Sequence, residues 1–169
     1  MTISAYNASV PVFKQLLNSL KDVLKKAEAH ATEKKIEADA LLTARLFPDM
    51  LNFTRQIQIA CDFAKGVSAR LADVDMPAYD DNEKSFADLQ ERLDKTLAFL
   101  DTLKSEQFKG AETREVVLRP GTPKEKRFTG EHYLLHYGFP QFFFHVTTAY
   151  AILRSNGLEI GKGDFMGKY

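Results

Sequence analysis

The chain has 169 residues, 44% hydrophobic and 27% charged, with 23 Lys+Arg balancing 23 Asp+Glu. That length can bury one substantial core, and the charge balance argues against a nucleic-acid binder, which carries a basic excess or stripe. Cys61 is the single cysteine, which excludes an intrachain disulfide, and the longest apolar run, around Phe139 to Leu153, is interrupted by Pro140, Gln141 and His145 and falls short of a bilayer span. The opening MTISAYNASVPVFKQ lacks the basic-then-apolar pattern of a signal peptide. The expectation is one domain over residues 1–169, cytoplasmic, without a membrane or nucleic-acid partner.

From about Ser4 to His30, Val12, Phe13, Leu16, Leu17, Leu20, Val23 and Leu24 recur at the three-and-four spacing of a buried helical stripe. Pro11 inside that pattern predicts a kink or a late start. Ile36, Leu41 and Leu42 suit either a short helix or an ordered connection. A second helix is expected from Pro48, with Asp49 in its first turn, and to end near Leu71. Its apolar face is Met50, Phe53, Ile57, Ala60, Ala64, Val67 and Leu71, with Gln56 beside it. Ser85 with Asp88 resembles an N-cap opening a third helix through Phe86, Leu89, Leu93, Leu97, Leu100 and Leu103. Its outer face is Glu91, Asp94, Lys95 and Asp101.

Between Ser105 and Thr129 the periodicity changes. Glu115 to Leu118 is β-prone, Pro120-Gly121 is a turn signal and Glu125 to Phe128 suits a return arm, so a small hairpin or a long loop is expected. Thr129-Gly130-Glu131 can open the last helix, in which Gly138 and Pro140 predict a kink or a break. That helix should stop at Asn156-Gly157, with Leu158 as the apolar contact of the cap. The glycine-rich tail Glu159 to Tyr169 is expected to lie across the surface.

The stretch Glu131 to Gly157 is the least charged part of the chain, yet it holds His132, His136, His145 and Gln141. His132 and His136 are four apart and share one helical face, where two imidazoles could meet one metal or simply hydrogen-bond on a half-exposed surface. Gln141 and His145 are also four apart. In a continuous helix His145 stands about 220° around the axis from His132. His145, between Phe144 and Val146, is either hydrogen-bonded in the core or part of a pocket wall. Gly157 to Gly163 is not a phosphate loop, because it lacks the spacing and the Ser or Thr after Lys162. Cys61 reads as a small buried side chain.

Arg45-Leu-Phe-Pro-Asp-Met50, Gln56 to Ala64, Ala69-Arg70-Leu71, Phe139-Pro-Gln-Phe-Phe-Phe-His145 and Ala149-Tyr-Ala-Ile-Leu-Arg154 with Gly157 carry a family likeness. Over nearly its whole length the chain resembles the DinB/YfiT-like superfamily of metalloenzyme type, and within it a bacterial domain-of-unknown-function branch. The resemblance implies an all-α four-helix bundle. It also implies a metal held by one histidine on the second helix and two, four apart, on the last, and in some members thiol-dependent transfer or isomerisation. Carried over by position, the last-helix pair falls on Gln141 and His145. The second helix has no histidine, so Gln56, or else Asp49, stands nearest the missing ligand. Amides are poor zinc ligands, so the expectation is no metal or only a weakly held divalent one.

The leading expectation is therefore a small-molecule pocket between the second and last helices, lined by Gln56, Gln141, His145, Tyr150 and Asp49. The first rival is an enzyme with His145 as general base, or as a metal ligand together with Asp49, in thiol transfer or isomerisation. The second is a homodimeric structural protein, since Phe142-Phe143-Phe144 spans about 200° of helix and bundles of the resembling superfamily often pair.

Overall fold

The structure is a computed structural model describing residues 3–169. Helix α1 spans Ala5–Lys34, opened by Ser4, whose Oγ accepts the Asn7 N–H at 3.2 Å. It runs through Pro11 and four residues past His30, closing on Lys35 in the left-handed region (φ 55°). A short α2 (Ala38–Leu42) buries Leu41 and Leu42. Helix α3 spans Phe53–Ala72 and α4 spans Phe86–Thr102. A single 3₁₀ turn, Ser105–Phe108, leads to strands β1 (Glu115–Leu118) and β2 (Lys126–Thr129). The last long helix is composite: α5 (Gly130–His132), a π-helical segment (Tyr133–Gly138) and α6 (Phe139–Ser155). Helix α7 (Lys162–Met166) ends the chain's regular structure.

The four long helices form an all-α bundle, and α3 against α6 is its most extensive pair. The expected apolar stripes are its core: Phe13, Leu17 and Leu24 of α1, Phe53, Ile57 and Leu71 of α3, Leu89, Leu93 and Leu100 of α4, and Phe142 and Ile152 of α6 are fully buried. Ser85 caps α4 as expected, accepting from Asp88 N–H at 3.1 Å, while Asp88 accepts from Lys84 N–H at 2.9 Å. The outer-face residues Asp94 and Asp101 pair with Lys21 and Lys14 of α1.

The second long helix begins at Phe53, not at Pro48. Asn52 takes the cap instead, its side chain accepting from Arg55 N–H at 3.0 Å. Residues 43–52 form a loop closed at its base by Phe53 N–H to Ala44 O at 2.8 Å and Thr54 Oγ1 to Leu42 O at 3.0 Å. The proline signal lost because Asn52 offers a side-chain acceptor that a Pro48 start lacks.

Between α4 and the last helix a hairpin forms, pairing Glu115 with Thr129 and Leu118 with Lys126. The tail crosses α1: Ser19 Oγ meets the carbonyls of Asp164 (2.5 Å) and Phe165 (2.7 Å), and Gln15 donates to Met166 O at 2.8 Å. Gly157 has φ 92°, and Leu158 N–H returns to Leu153 O at 3.2 Å, the expected left-handed cap. Among the described residues no helix is long and apolar enough to cross a membrane.

Gly138 and Pro140 do not break the last helix. The turn before them widens, and Phe139 N–H bonds to Leu134 O, five residues back. A wide turn relieves the clash of a proline ring with the carbonyl four residues earlier. It also advances everything after it by about one residue, or about 100°. Gly138 lies against α3, where a Cβ would stand 2.8 Å from Val67 Cγ2 and 3.3 Å from Tyr133 O. Gly138→Val is expected to destabilise the protein by about 3 kcal/mol through overpacking. Urea unfolding measures this, and a loss below about 1 kcal/mol would mean that the α3–α6 spacing does not depend on Gly138.

Candidate functional site

Where α3 and α6 cross, Gln56 Oε1 and His145 Nδ1 lie 2.7 Å apart, with Gln56 1% and His145 7% exposed. Gln56 sits in the first turn of α3, and its Nε2 donates to Leu51 O at 3.0 Å, just ahead of the helix. A carbonyl only accepts, so the amide nitrogen must face Leu51 and the amide oxygen must face the ring. His145 Nδ1 is therefore the donor, and in the neutral ring Nε2 carries the lone pair. Phe63 stacks on this imidazole at 6.0 Å and Phe144 meets it edge-on at 5.3 Å. Burial lowers the His145 pKa below its ordinary value. The ring is thus a neutral, hydrogen-bonded core group with basic character only at Nε2.

Phe63 joins this pair to an open cleft of about 360 Å³ between α3, the α3–α4 connection, the hairpin and the π-helical segment. Its walls include Phe63, Tyr79, Tyr133 and Tyr137. Tyr137 packs on Phe63 at 5.9 Å and on Tyr133 at 5.8 Å. The connection is pinned from below by Arg92, which is 2% exposed. Arg92 reaches Glu83 at 2.8 Å, Asp62 at 2.9 Å and Asp81 at 3.0 Å. Burial opposes its charge, but Glu83 and Asp62 outweigh it and raise the pKa. Lys65 bonds Asp62 at 3.1 Å and Pro77 O at 2.9 Å, and lies 4.2 Å over the Tyr79 ring. No sequence motif singles out this network. Its one local signal is Arg92 itself, three residues past Leu89 on the stripe that the third helix buries.

The other candidate residues divide. Gln141 is half-buried on α6, and its side chain has no hydrogen-bond partner among the described residues. Tyr150 faces the opposite way, its hydroxyl donating to Ile160 O at 3.3 Å and its ring packed on Phe165. Asp49 is exposed in the 43–52 loop rather than in the first turn of a helix. His132 and His136 stack on each other at 4.5 Å, exposed, beside Phe128 of the hairpin. The structure thus brings together Gln56 and His145 and separates Tyr150, Asp49, His132 and His136 from them.

The profile of DUF1993, a domain of unknown function, matches residues 5–166. The chain belongs to the DUF1993 family. A crystal structure of a DinB family member protein from Shewanella denitrificans is 38% identical, with a TM-score of 0.91 over 97% of this chain and 92% of that one. The DUF1993 chain is accordingly a DinB-like bundle. No curated protein matches it.

The metal that the DinB-like likeness implies does not fit these residues. By the positional carry-over of that likeness the triad falls on Gln56, Gln141 and His145, two amides and one imidazole. Gln56 has committed its oxygen to His145 and its nitrogen to Leu51. Among the described residues no three His, Cys, Asp or Glu side chains are grouped to hold an ion. Cys61 is no substitute, because burial pushes its thiol up to about 12 against the opposing hydrogen bond of Thr96. His145 also ties stability to pH. Its folded pKa lies below the unfolded value of about 6.5, so the unfolded chain takes up the proton first as pH falls. The stability contributed is complete above about pH 6.5 and is lost below it. The melting temperature should fall between pH 7 and pH 5, and His145→Gln should flatten that slope; an unchanged slope in the variant would assign the dependence to other groups.

Proposed function

We propose that this DUF1993 protein is a metal-independent small-molecule-binding bundle. The observation that carries the reading is the amide of Gln56, committed at one end to His145 and at the other to Leu51. An ion there would meet one imidazole nitrogen, His145 Nε2, and an amide oxygen that already accepts a hydrogen bond, fewer and weaker donors than zinc takes. The binding role moves to the aromatic cleft on the far side of Phe63, of a size usual for small-molecule sites. A cytoplasmic setting belongs to the same proposal, supported by a lone thiol that is buried and has no partner for a disulfide.

Protein purified without a metal-affinity tag and dialysed against zinc should retain far less than one equivalent by elemental analysis. Near-stoichiometric zinc or nickel that disappears in His145→Ala would overturn the metal-free reading. Neutral and charged aromatic fragments, followed by NMR, should perturb Phe63, Tyr133 and Tyr137 resonances, with Tyr137→Ala weakening the response.

A specific observation favours a homodimer as a second part of the reading. Phe142 is buried, but Phe143 and Phe144 are 37% and 54% exposed. Beside them on α6 and the 43–52 loop lies a shallow groove of Leu46, Pro140, Thr147, Thr148 and Ala151. Projecting rings and a groove on one helix face are self-complementary under a two-fold axis. Light scattering at micromolar concentration should give a dimer mass, and Phe144→Glu should give a monomer. A wild-type monomer would remove the dimer and leave the cleft untouched.

A further inference from the structure

The aromatic cleft has an electrostatic imbalance that identifies the class of its ligand, given the binding role proposed above. Five charged side chains line it: Asp62, Asp81, Lys65, Arg70 and Arg119. Both carboxylates are already matched. Asp62 is held by Arg92 at 2.9 Å and Lys65 at 3.1 Å, and Asp81 by Arg55 at 2.6 Å and Arg92 at 3.0 Å. Arg92 lies beneath the cleft, with its charge turned to these acids. The remaining cations are Arg70 and Arg119, and among the described residues neither meets a carboxylate within ion-pair distance.

Arg70 is held in place without being neutralised. Its guanidinium donates to Gly66 O at 2.9 Å and to the Tyr133 hydroxyl at 3.4 Å. These acceptors leave other N–H groups of the fork free. Burial raises the Tyr133 pKa, with Arg70 opposing, so the phenol keeps its proton and can donate it after accepting from Arg70. Space for this arrangement comes from Gly66. A Cβ there would stand 2.8 Å from the Arg70 guanidinium and 3.2 Å from Met76 Sδ. Glycine inside a helix is less stable than alanine, and what it yields at this position is the seat of the Arg70 head group. Arg119, at the start of the hairpin turn, has φ 51°. Glycine adopts that conformation without strain, whereas an arginine there brings a cation to the cleft rim.

We infer that the cleft takes a small planar aromatic anion, its ring against Phe63, Tyr79 and Tyr137 and its acid group drawn to Arg70 and Arg119. The matched carboxylates disfavour a cation, since a positive ligand would approach Arg70 and Arg119 with no free negative charge to offset them. A neutral ring gains the aromatic walls but not the guanidiniums.

The test uses the full-length protein with 2-naphthoate as probe and 2-naphthalenemethanol as its uncharged counterpart, both titrated by calorimetry at pH 7.5. The anion should bind at least about tenfold more tightly than the alcohol, the scale of one charge-assisted hydrogen bond, and less tightly as salt is raised. Arg70→Met should lower naphthoate affinity about tenfold and leave the alcohol unchanged. Gly66→Ala is the control against simple misfolding: it should hold or raise the melting temperature while weakening naphthoate, because it displaces the guanidinium and improves the helix. Equal affinity for the two probes, or naphthoate binding unaffected by Arg70→Met, would overturn the anion assignment while the cleft remains a binding site. Binding of neither probe at millimolar concentration would overturn both.

Discussion

The seam between α3 and α6 is the constraint on which the rest of the molecule depends. Three local facts set it. Gly138 lets the helices approach to the point where a Cβ would strike Val67, the π-helical turn rotates α6 about its axis, and Gln56 and His145 then meet across the gap. A buried imidazole and a buried amide are each expensive alone. Paired at 2.7 Å, with the amide's other end on Leu51 O, they fix the helix crossing and the loop in front of α3 together.

The same pairing bears on the metal chemistry that the DinB-like likeness implies. A metal centre needs several lone pairs directed at one point, and here one of the two lone pairs of Gln56 Oε1 is directed at the His145 proton. His145 retains only Nε2, under the rings of Phe63 and Phe144. The same Phe63 that covers the imidazole forms part of the cleft wall on its other side. The buried polar pair and the open cavity are therefore neighbours separated by one ring. The cleft keeps its shape because the α3–α4 connection, with no regular structure of its own, is tied to Arg92 and Lys65.

Much of the fold was legible because apolar spacing is a local property. The stripes of α1, α3, α4 and α6, the Ser85 cap, the Pro120-Gly121 turn and the Gly157 stop all depend on residues within a few positions of one another. The start of the second helix was not legible: Pro48 with Asp49 reads as its opening, whereas Asn52 caps it and the 43–52 loop is closed by Ala44 and Leu42. The expectation of a kink or a break at Gly138-Pro140 located the irregularity, and its form is a widened turn, which satisfies the same sterics without parting the helix. In the site, Gln56 and His145 were legible through family likeness. Tyr150 was misplaced because its position on α6 sends it toward the tail, and Asp49 because its helix turn does not exist.

By itself the sequence determined four long helices and a hairpin or loop before the last, and its family resemblance implied a DinB-like bundle whose triad positions fall on two amides and one histidine. The helices, the caps and the hairpin come from periodicity and residue identity, which act over one or two turns; the DinB-like assignment and the triad positions come from the family resemblance. Only the tertiary structure decided that the Gln56 amide is engaged on both sides, that His145 is held as a neutral Nδ1 donor, and that Arg70 and Arg119 share an aromatic cleft without a carboxylate of their own. The reason is physical: hydrogen-bond partnership and charge compensation depend on which side chains lie within about 3–4 Å, and those neighbours come from elements far apart in the chain, so a local signal such as Gly138-Pro140 marks an irregularity without saying which side chains it brings together.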